Sequence, residues 1–376
     1  MPSKNKSGAE HREKLEKLFC DLVKTSSPSG KELGIATHLS SYLSKNGVPN
    51  HFDNANKKTG GNTGNLIAKL EGKGPTIMFV AHMDTVEDGK KPIRPVIKNG
   101  IIRSDGTTIL GVDNKASIAA LLYAMQEIKK EHHCTVISVF SVNEEQGIMG
   151  ASSINIFPRP DYTFVIDGSG HPGTFMNEAL GHSSFKIKII GKDAHAAFAP
   201  ETGRNALKAA GHLITKQKFG SYPDGSIVNF GTISGGTRTN IVPGAVVIEG
   251  EVRGRSIESM TKRLDGIKSA LAEACDATGC GFKFYGDKDP KQPFSVNAGS
   301  QIAKLASKAS KAAGLNFEIH GLKATTEANV LCGKYPNILI MASGGANPHS
   351  NSESISIHEL YHLKSLIISL IESASL

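Results

Sequence analysis

The chain has 376 residues, 39% of them hydrophobic, with 40 glycines, no tryptophan and a formal charge of +8. That length suits two domains better than one core, and no apolar run approaches the roughly 20 residues of a membrane span. The basic residues are scattered through amphipathic segments, so no concentrated footprint for nucleic acid forms and the field favours carboxylate-bearing ligands.

Leu15, Leu18, Phe19, Leu22 and Val23 recur at offsets of three and four, which predicts an amphipathic helix over 10–25, stopped by "SSPSG" at 26–30. A second helix is expected over 31–44. The β-rich runs "NLIAKL", "TIMFVA", "TVISVFSV" and "YTFVID" follow. Among them lies a helix from Lys115 to about Lys129, with Ile118, Leu121, Leu122, Met125 and Ile128 on one face. Alternation of this kind implies a largely parallel sheet covered by helices.

Beyond Asp167 the pattern changes, and "FKIKIIG" at 185–191 alternates apolar residues with lysine, the mark of a sheet with one wet face. A helix over 204–218, strands over 226–233 and 245–253, a helix over 257–277 and the strand "GFKFYG" at 281–286 complete a β-α-β-β-α-β order, the split unit of ferredoxin-like domains. Helices over 297–313 and 357–373 around "PNILIMAS" at 336–343 return to the earlier style. The expected fold class is therefore α/β: a mostly parallel sheet flanked by helices, formed by 1–177 and 294–376, with an inserted α+β ferredoxin-like domain over 178–293.

Cys20, Cys134, Cys275, Cys280 and Cys332 show no C-x-x-C spacing, so neither a disulfide framework nor a thiolate zinc site is expected. The opening "MPSKNKSGAEHREKLEKLF" lacks the apolar centre of a secretory signal, and a reducing cytoplasm is the expected compartment.

Five segments place polar groups after apolar runs. In "FVAHMDT", His82 and Asp84 share one side of an extended segment, where they either close the strand or build a ligand site at its carboxyl end. In "SDGTTILGVDNKASIAALLYAM", Asp113 precedes a helix; it is a cap or, with Asp105 and the loop glycines, part of a binding loop. In "SVNEEQGIMGA", Glu144 and Glu145 are adjacent, which is unremarkable in a solvated turn but repulsive after a central strand unless a cation intervenes. Asp167 ends "YTFVID", and His349 follows "PNILIMAS" in "ASGGANPHSNSESI".

Gathering such groups without a metal would cost several kcal/mol of desolvation and repulsion. Two histidines and three carboxylates suit two divalent ions with one carboxylate between them, and zinc accepts mixed nitrogen and oxygen donors. A further carboxylate is then needed to carry the proton in amide hydrolysis.

These residues resemble those of the co-catalytic zinc peptidase family that includes peptidase T, the glutamate carboxypeptidases, the aminoacylases and succinyl-diaminopimelate desuccinylase. The resemblance covers almost the whole chain and is strongest to the peptidase T-like branch, through "AHMDTVEDG", "IRSDGTTILGVDNKASIA" and "NEEQGIMGA". It implies that His82 and Asp167 hold one ion, Glu145 and His349 the other, and that Asp113 bridges them. It makes Glu144 the general base acting on a metal-bound hydroxide, and Asp84 the carboxylate that orients His82. In the inserted domain, a lid and dimerisation module in the family, "GKDAHAAFAPETGRNAL" resembles the segment whose histidine, here His195, stabilises the oxyanion, often from a partner subunit. Asn240 in "TNIVPG" and Arg253 in "GEVRGR" match substrate-contacting positions, with Arg255 close to the second.

Two departures stand out. Asn114 occupies a position where many relatives have a second aspartate, and "ATTEAN" at 324–329, with Glu327, replaces a turn beside the substrate that more usually contains Gly-Ser-Asp. The expected protein is a di-zinc tripeptide aminopeptidase, with cobalt or manganese as other candidate ions, a short peptide as substrate, a homodimer through the lid, and no membrane or nucleic-acid partner. A deacylase or carboxypeptidase on the same scaffold is the alternative, and a non-catalytic binding homologue the reading from another class. No G-x-x-x-x-G-K-[ST] is present and no G-x-G-x-x-G opens a βα turn, so nucleotide chemistry has no support.

Overall fold

Four of the apolar runs become adjacent parallel strands, in the order Thr135–Ser141, Thr76–His82, Tyr162–Gly168 and Ile338–Ala342. The structure, a computed structural model, describes residues 3–128 and 134–375, so Lys129, the expected end of one helix, and Met1 and Pro2 of the opening segment lie outside the described residues. All seven residues of Thr135–Ser141 are buried, as a strand covered on both faces demands. Leu66–Leu70 and Asn50–Phe52 extend the sheet antiparallel on one side, and Thr174–Ala179 pairs antiparallel with Ile338–Ala342 on the other.

The helix Val112–Ile128 packs on the strands Thr76–His82 and Tyr162–Gly168 and on the helices Ser3–Val23 and Ile357–Ala374. Its sequence suggests one apolar face, but every residue from Ala116 to Met125 is buried. The small residues Ala116, Ser117, Ala119, Ala120 and Ala124 explain this, because they let neighbours approach on the side away from the Ile-Leu-Met stripe.

The chain divides into two compact units, one of Met1–Glu178, Ser295–Leu322 and Thr326–Leu376, the other of Ala179–Phe294 with Lys323–Thr325. The second unit holds an antiparallel sheet in the order Gly220–Ser221, Ile227–Gly235, Ala245–Gly254, Gly181–Ile190, Gly281–Gly286. Phe185, Ile187 and Ile189 are buried on one face while Lys186 and Lys188 are exposed on the other, as the alternation requires. The helices Ala206–Lys216 and Ile257–Asp276 cover the apolar face. Each starts at a residue whose side chain accepts from the helix backbone, Asn205 from Lys208 N and Ser256 from Ser259 N.

A small sheet of Pro95–Lys98, Ile101–Ser104 and Ser354–Ser356 has no counterpart in the sequence reading. Its strands are three or four residues long and carry Lys98 and Arg103, too short and too polar for a period-two signal. It brings the segment around Glu353 beside the loop that leads to Asp113.

Candidate metal centre and active site

The parallel strands present their carboxyl ends at one edge, with His82 opposite Ser141 in the pairing of the first two. His82 closes its strand, Glu144 and Glu145 follow Ser141 by a few residues, Asp167 is the penultimate residue of Tyr162–Gly168, and His349 comes from the loop after Ile338–Ala342. Edges of this kind are where open α/β sheets bind ligands. A cleft there has about 610 Å³ of empty space and is lined by Asp113, Asp167, Asn347 and Glu353, among others.

The side chains converge on Asp113. Its Oδ1 lies 3.0 Å from His82 Nε2, and its Oδ2 lies 3.2 Å from His349 Nε2. His82 Nε2 is 3.7 Å from Asp167 Oδ1, and His349 Nε2 is 3.0 Å from Glu145 Oε1. Bonds of about 2.0–2.1 Å to a tetrahedral ion put neighbouring ligand atoms about 3.3 Å apart, so these separations fit donors that share a cation. His82, Asp113 and Glu145 each offer an atom within 4.8 Å of the others.

Hydrogen bonding between protonated histidines and carboxylates would give similar distances, and charge decides between the two. Six carboxylates (Asp84, Asp113, Glu144, Glu145, Asp167, Glu327) interact around His82 and its neighbours, and two imidazoles cannot balance them. The protein alone compensates by holding protons. Burial and the nearby Asp167 charge raise Glu144 well above the usual carboxylate range. Burial brings Asp167 to about 6 and Glu327 to about 7. Asp113 and Glu145 lift His349 to about 10, and hydrogen bonds to Asp113, Asp167 and Asp84 lift His82 despite its burial. Divalent cations supply the missing positive charge, so the donor set fits them.

Around the converging groups lies a layer of hydrogen bonds. Fully buried Asp84 accepts from Glu144 N and Glu145 N, both at 3.0 Å, and from the Ser29 hydroxyl at 2.6 Å. Its backbone oxygen lies 2.9 Å from His82 Nδ1, which leaves Nε2 facing Asp113. Glu32, also buried, accepts from Gly30 N and Asn143 N. Glu353 accepts from Leu110 N, Gly111 N and Asp113 N. The sequence reading singled out none of Ser29, Glu32 and Glu353, which sit in the polar stretches "SSPSGKE" and "SNSESI" that look like solvated turns. Asn143 and His349 have φ of 58° and 61°, left-handed values that non-glycine residues adopt where surrounding contacts impose them. Gly150 closes the "NEEQGIMG" loop so tightly that a Cβ would lie 2.1 Å from Val142 O.

Asn114, the departure next to Asp113, is fully buried and donates its amide to Ile166 O at 2.6 Å. An aspartate there would set a carboxylate against that carbonyl. Glu327 has no solvent-exposed surface; it lies near the Ser141 hydroxyl and interacts electrostatically with His82, Asp167 and Asp84.

In the second unit, Ala194–His195 pairs with Ile241–Val242, and Ala196 N donates to Asn240 O, so His195 and Asn240 are neighbours, both exposed. Ala197 N and Phe198 N donate to His195 Nδ1, which assigns the neutral ring's proton to Nε2. Arg253 is held in a fork by both oxygens of Glu251, with Thr325 Oγ1 3.4 Å from its remaining nitrogen.

The sequence pattern of the family described as "Peptidase family M20/M25/M40" matches residues 78–373. The protein YqjE of Bacillus subtilis (strain 168) is 32% identical over 97% of this chain and 99% of its own length. The crystal structure of aminopeptidase PepT from Bacillus cereus ATCC 10987 superposes with a TM-score of 0.89 at 31% identity, covering 97% of this chain and 99% of that one. A tripeptidase from Staphylococcus aureus subsp. aureus Mu50 gives 0.91 at 28% identity, over 97% and 98% of the two chains. Among the described residues no helix is long and apolar enough to cross a membrane. With the family pattern covering His82 and every segment that converges on Asp113, the chain belongs to peptidase family M20/M25/M40, on its peptidase T-like branch, and is a metal-dependent peptidase.

Proposed function

We propose that the protein is a di-metal aminopeptidase that hydrolyses short peptides, tripeptides first among them. The observation that carries the two-metal centre is the position of Asp113, whose two carboxylate oxygens face His82 on one side and His349 on the other, and the short-peptide substrate is supported by the likeness to aminopeptidase PepT and the tripeptidase. His82 with Asp167 and His349 with Glu145 then form the two ends of a site for two divalent ions, zinc by preference for mixed nitrogen and oxygen donors, with Asp113 between them. Ions bound there supply Lewis acidity toward the scissile carbonyl and toward water.

Glu144 accepts the proton of the attacking water on its carboxylate and returns it to the leaving amine. Its raised proton affinity, set by burial and the Asp167 charge, suits a group that takes up a proton during the reaction. Asp84 keeps Glu144 and Glu145 in place through their backbone N–H groups while fixing the ring of His82. His195, with Nε2 as donor, is the proposed oxyanion contact, Asn240 beside it and Arg253 the proposed substrate contacts.

Free tripeptides, N-acyl amino acids and C-terminally extended peptides separate this reading from a deacylase or carboxypeptidase. Release of the N-terminal residue from tripeptides is expected; cleavage of N-acyl amino acids with no cleavage of any tripeptide would overturn the assignment.

A further inference from the structure

The helix Ile357–Ala374 opens with His358-Glu359-Leu360-Tyr361-His362, an H-E-x-x-H pattern that shares no residue with the centre around Asp113. His358 and His362 stand four residues apart and so share a helix face, with ring centroids 3.8 Å apart. His358, Glu359 and His362 each offer a ligand atom, and these atoms all lie within 4.8 Å of one another. Glu359 Oε1 is 3.1 Å from His171 Nδ1, while its Oε2 is buried with no hydrogen-bond partner. A carboxylate with one buried oxygen left without a donor, and with a ligand atom close to those of two imidazoles, is an arrangement that a cation completes.

We propose that His358, Glu359 and His362 form a second metal site, separate from the centre around Asp113, which takes one transition-metal dication that accepts imidazole nitrogen, such as Zn2+, Ni2+ or Cu2+. His358 is exposed and gives the ion access. His171 belongs to the loop after Asp167, and the helix follows the segment of Glu353, so an ion here ties together two segments that lead into the active centre. The positive end of the helix dipole opposes a cation at this position, and Glu359 in the first turn offsets it. The site binds without hydrolysing. In a catalytic H-E-x-x-H the glutamate stays free to act as base, whereas Glu359 is engaged by His171 and itself supplies a ligand atom.

The test is equilibrium dialysis against Ni2+ of enzyme loaded with two zinc ions per chain, comparing the natural chain with a variant carrying His358→Gln and His362→Gln. The natural chain is expected to bind one more Ni2+ per chain than the variant, with tripeptide turnover unchanged between them. Equal stoichiometry would overturn the proposal. Should the variant fail to fold, the electron paramagnetic resonance spectrum of Cu2+ added to the zinc-loaded natural chain decides. Hyperfine coupling to two imidazole nitrogens on one ion is expected, and a spectrum without nitrogen coupling rejects the site.

Discussion

Asp84 contributes no atom to the set that converges on Asp113, yet it fixes three parts of the centre at once: the Glu144 and Glu145 backbones and the His82 ring. Its partners show why a buried carboxylate is tolerated there, since each oxygen meets N–H or O–H donors. The sequence revealed His82 and Asp84 as a pair because side chains two apart share a strand face; the donors that hold Asp84 come from distant segments and left no local trace. Glu144 differs in kind, because its carboxylate is tied to no cap or turn and its proton affinity is set by burial and surrounding charge. Replacing Glu144 by Gln is expected to leave the fold and metal content unchanged while lowering tripeptide turnover by at least about 100-fold, the scale of a lost general base. Turnover within a few fold of the natural enzyme would remove Glu144 from proton transfer.

At the scale of elements, the long apolar strands and amphipathic helices were legible because burial imposes a period on the sequence, and their order alone implied the parallel sheet and the split β-α-β-β-α-β unit. The short strands Pro95–Lys98, Ile101–Ser104 and Ser354–Ser356 were not, since they are paired by tertiary contact and carry too few residues to show alternation. That small sheet matters for the site, because it brings Glu353 against the loop before the helix Val112–Ile128, where the carboxylate receives Leu110 N, Gly111 N and Asp113 N. Glu353→Gln keeps the size but replaces one acceptor oxygen with a donor, leaving at least one of those N–H groups unpaired. A loss of about 1–3 kcal/mol in unfolding free energy is expected, together with weaker zinc binding as Asp113 loses its anchor; denaturant titration and zinc affinity check it. An unchanged unfolding midpoint would show that the loop holds its shape without Glu353.

For the whole molecule, the stability of the metal-free chain depends on pH in a direction set by its retained protons. Asp167 at about 6 and Glu327 at about 7 exceed the ordinary values of 3.8 and 4.5, so the folded chain binds more protons than the unfolded one between those limits and stability falls as pH rises through them. His349, raised from 6.5 to about 10, extends the decline into the alkaline range. Asp84 and Asp113, both lowered, act oppositely, and their contribution fades only as pH drops below about 4. Thermal unfolding of chelated protein is expected to give a Tm that falls between pH 6 and 8, above which buried Lys115, lowered to about 8, acts in the opposite direction, and zinc, competing with protons for the same groups, is expected to raise Tm more at pH 8 than at pH 6. A zinc-induced rise that does not grow with pH would contradict this assignment of protons. The most direct check on the two-ion centre is tripeptide hydrolysis during stepwise zinc addition to chelated enzyme, with bound zinc counted at each step. Activity is expected to be absent without metal and to reach its plateau at two ions per chain in this centre; full turnover in the fully chelated enzyme, or a plateau at one ion, would contradict it.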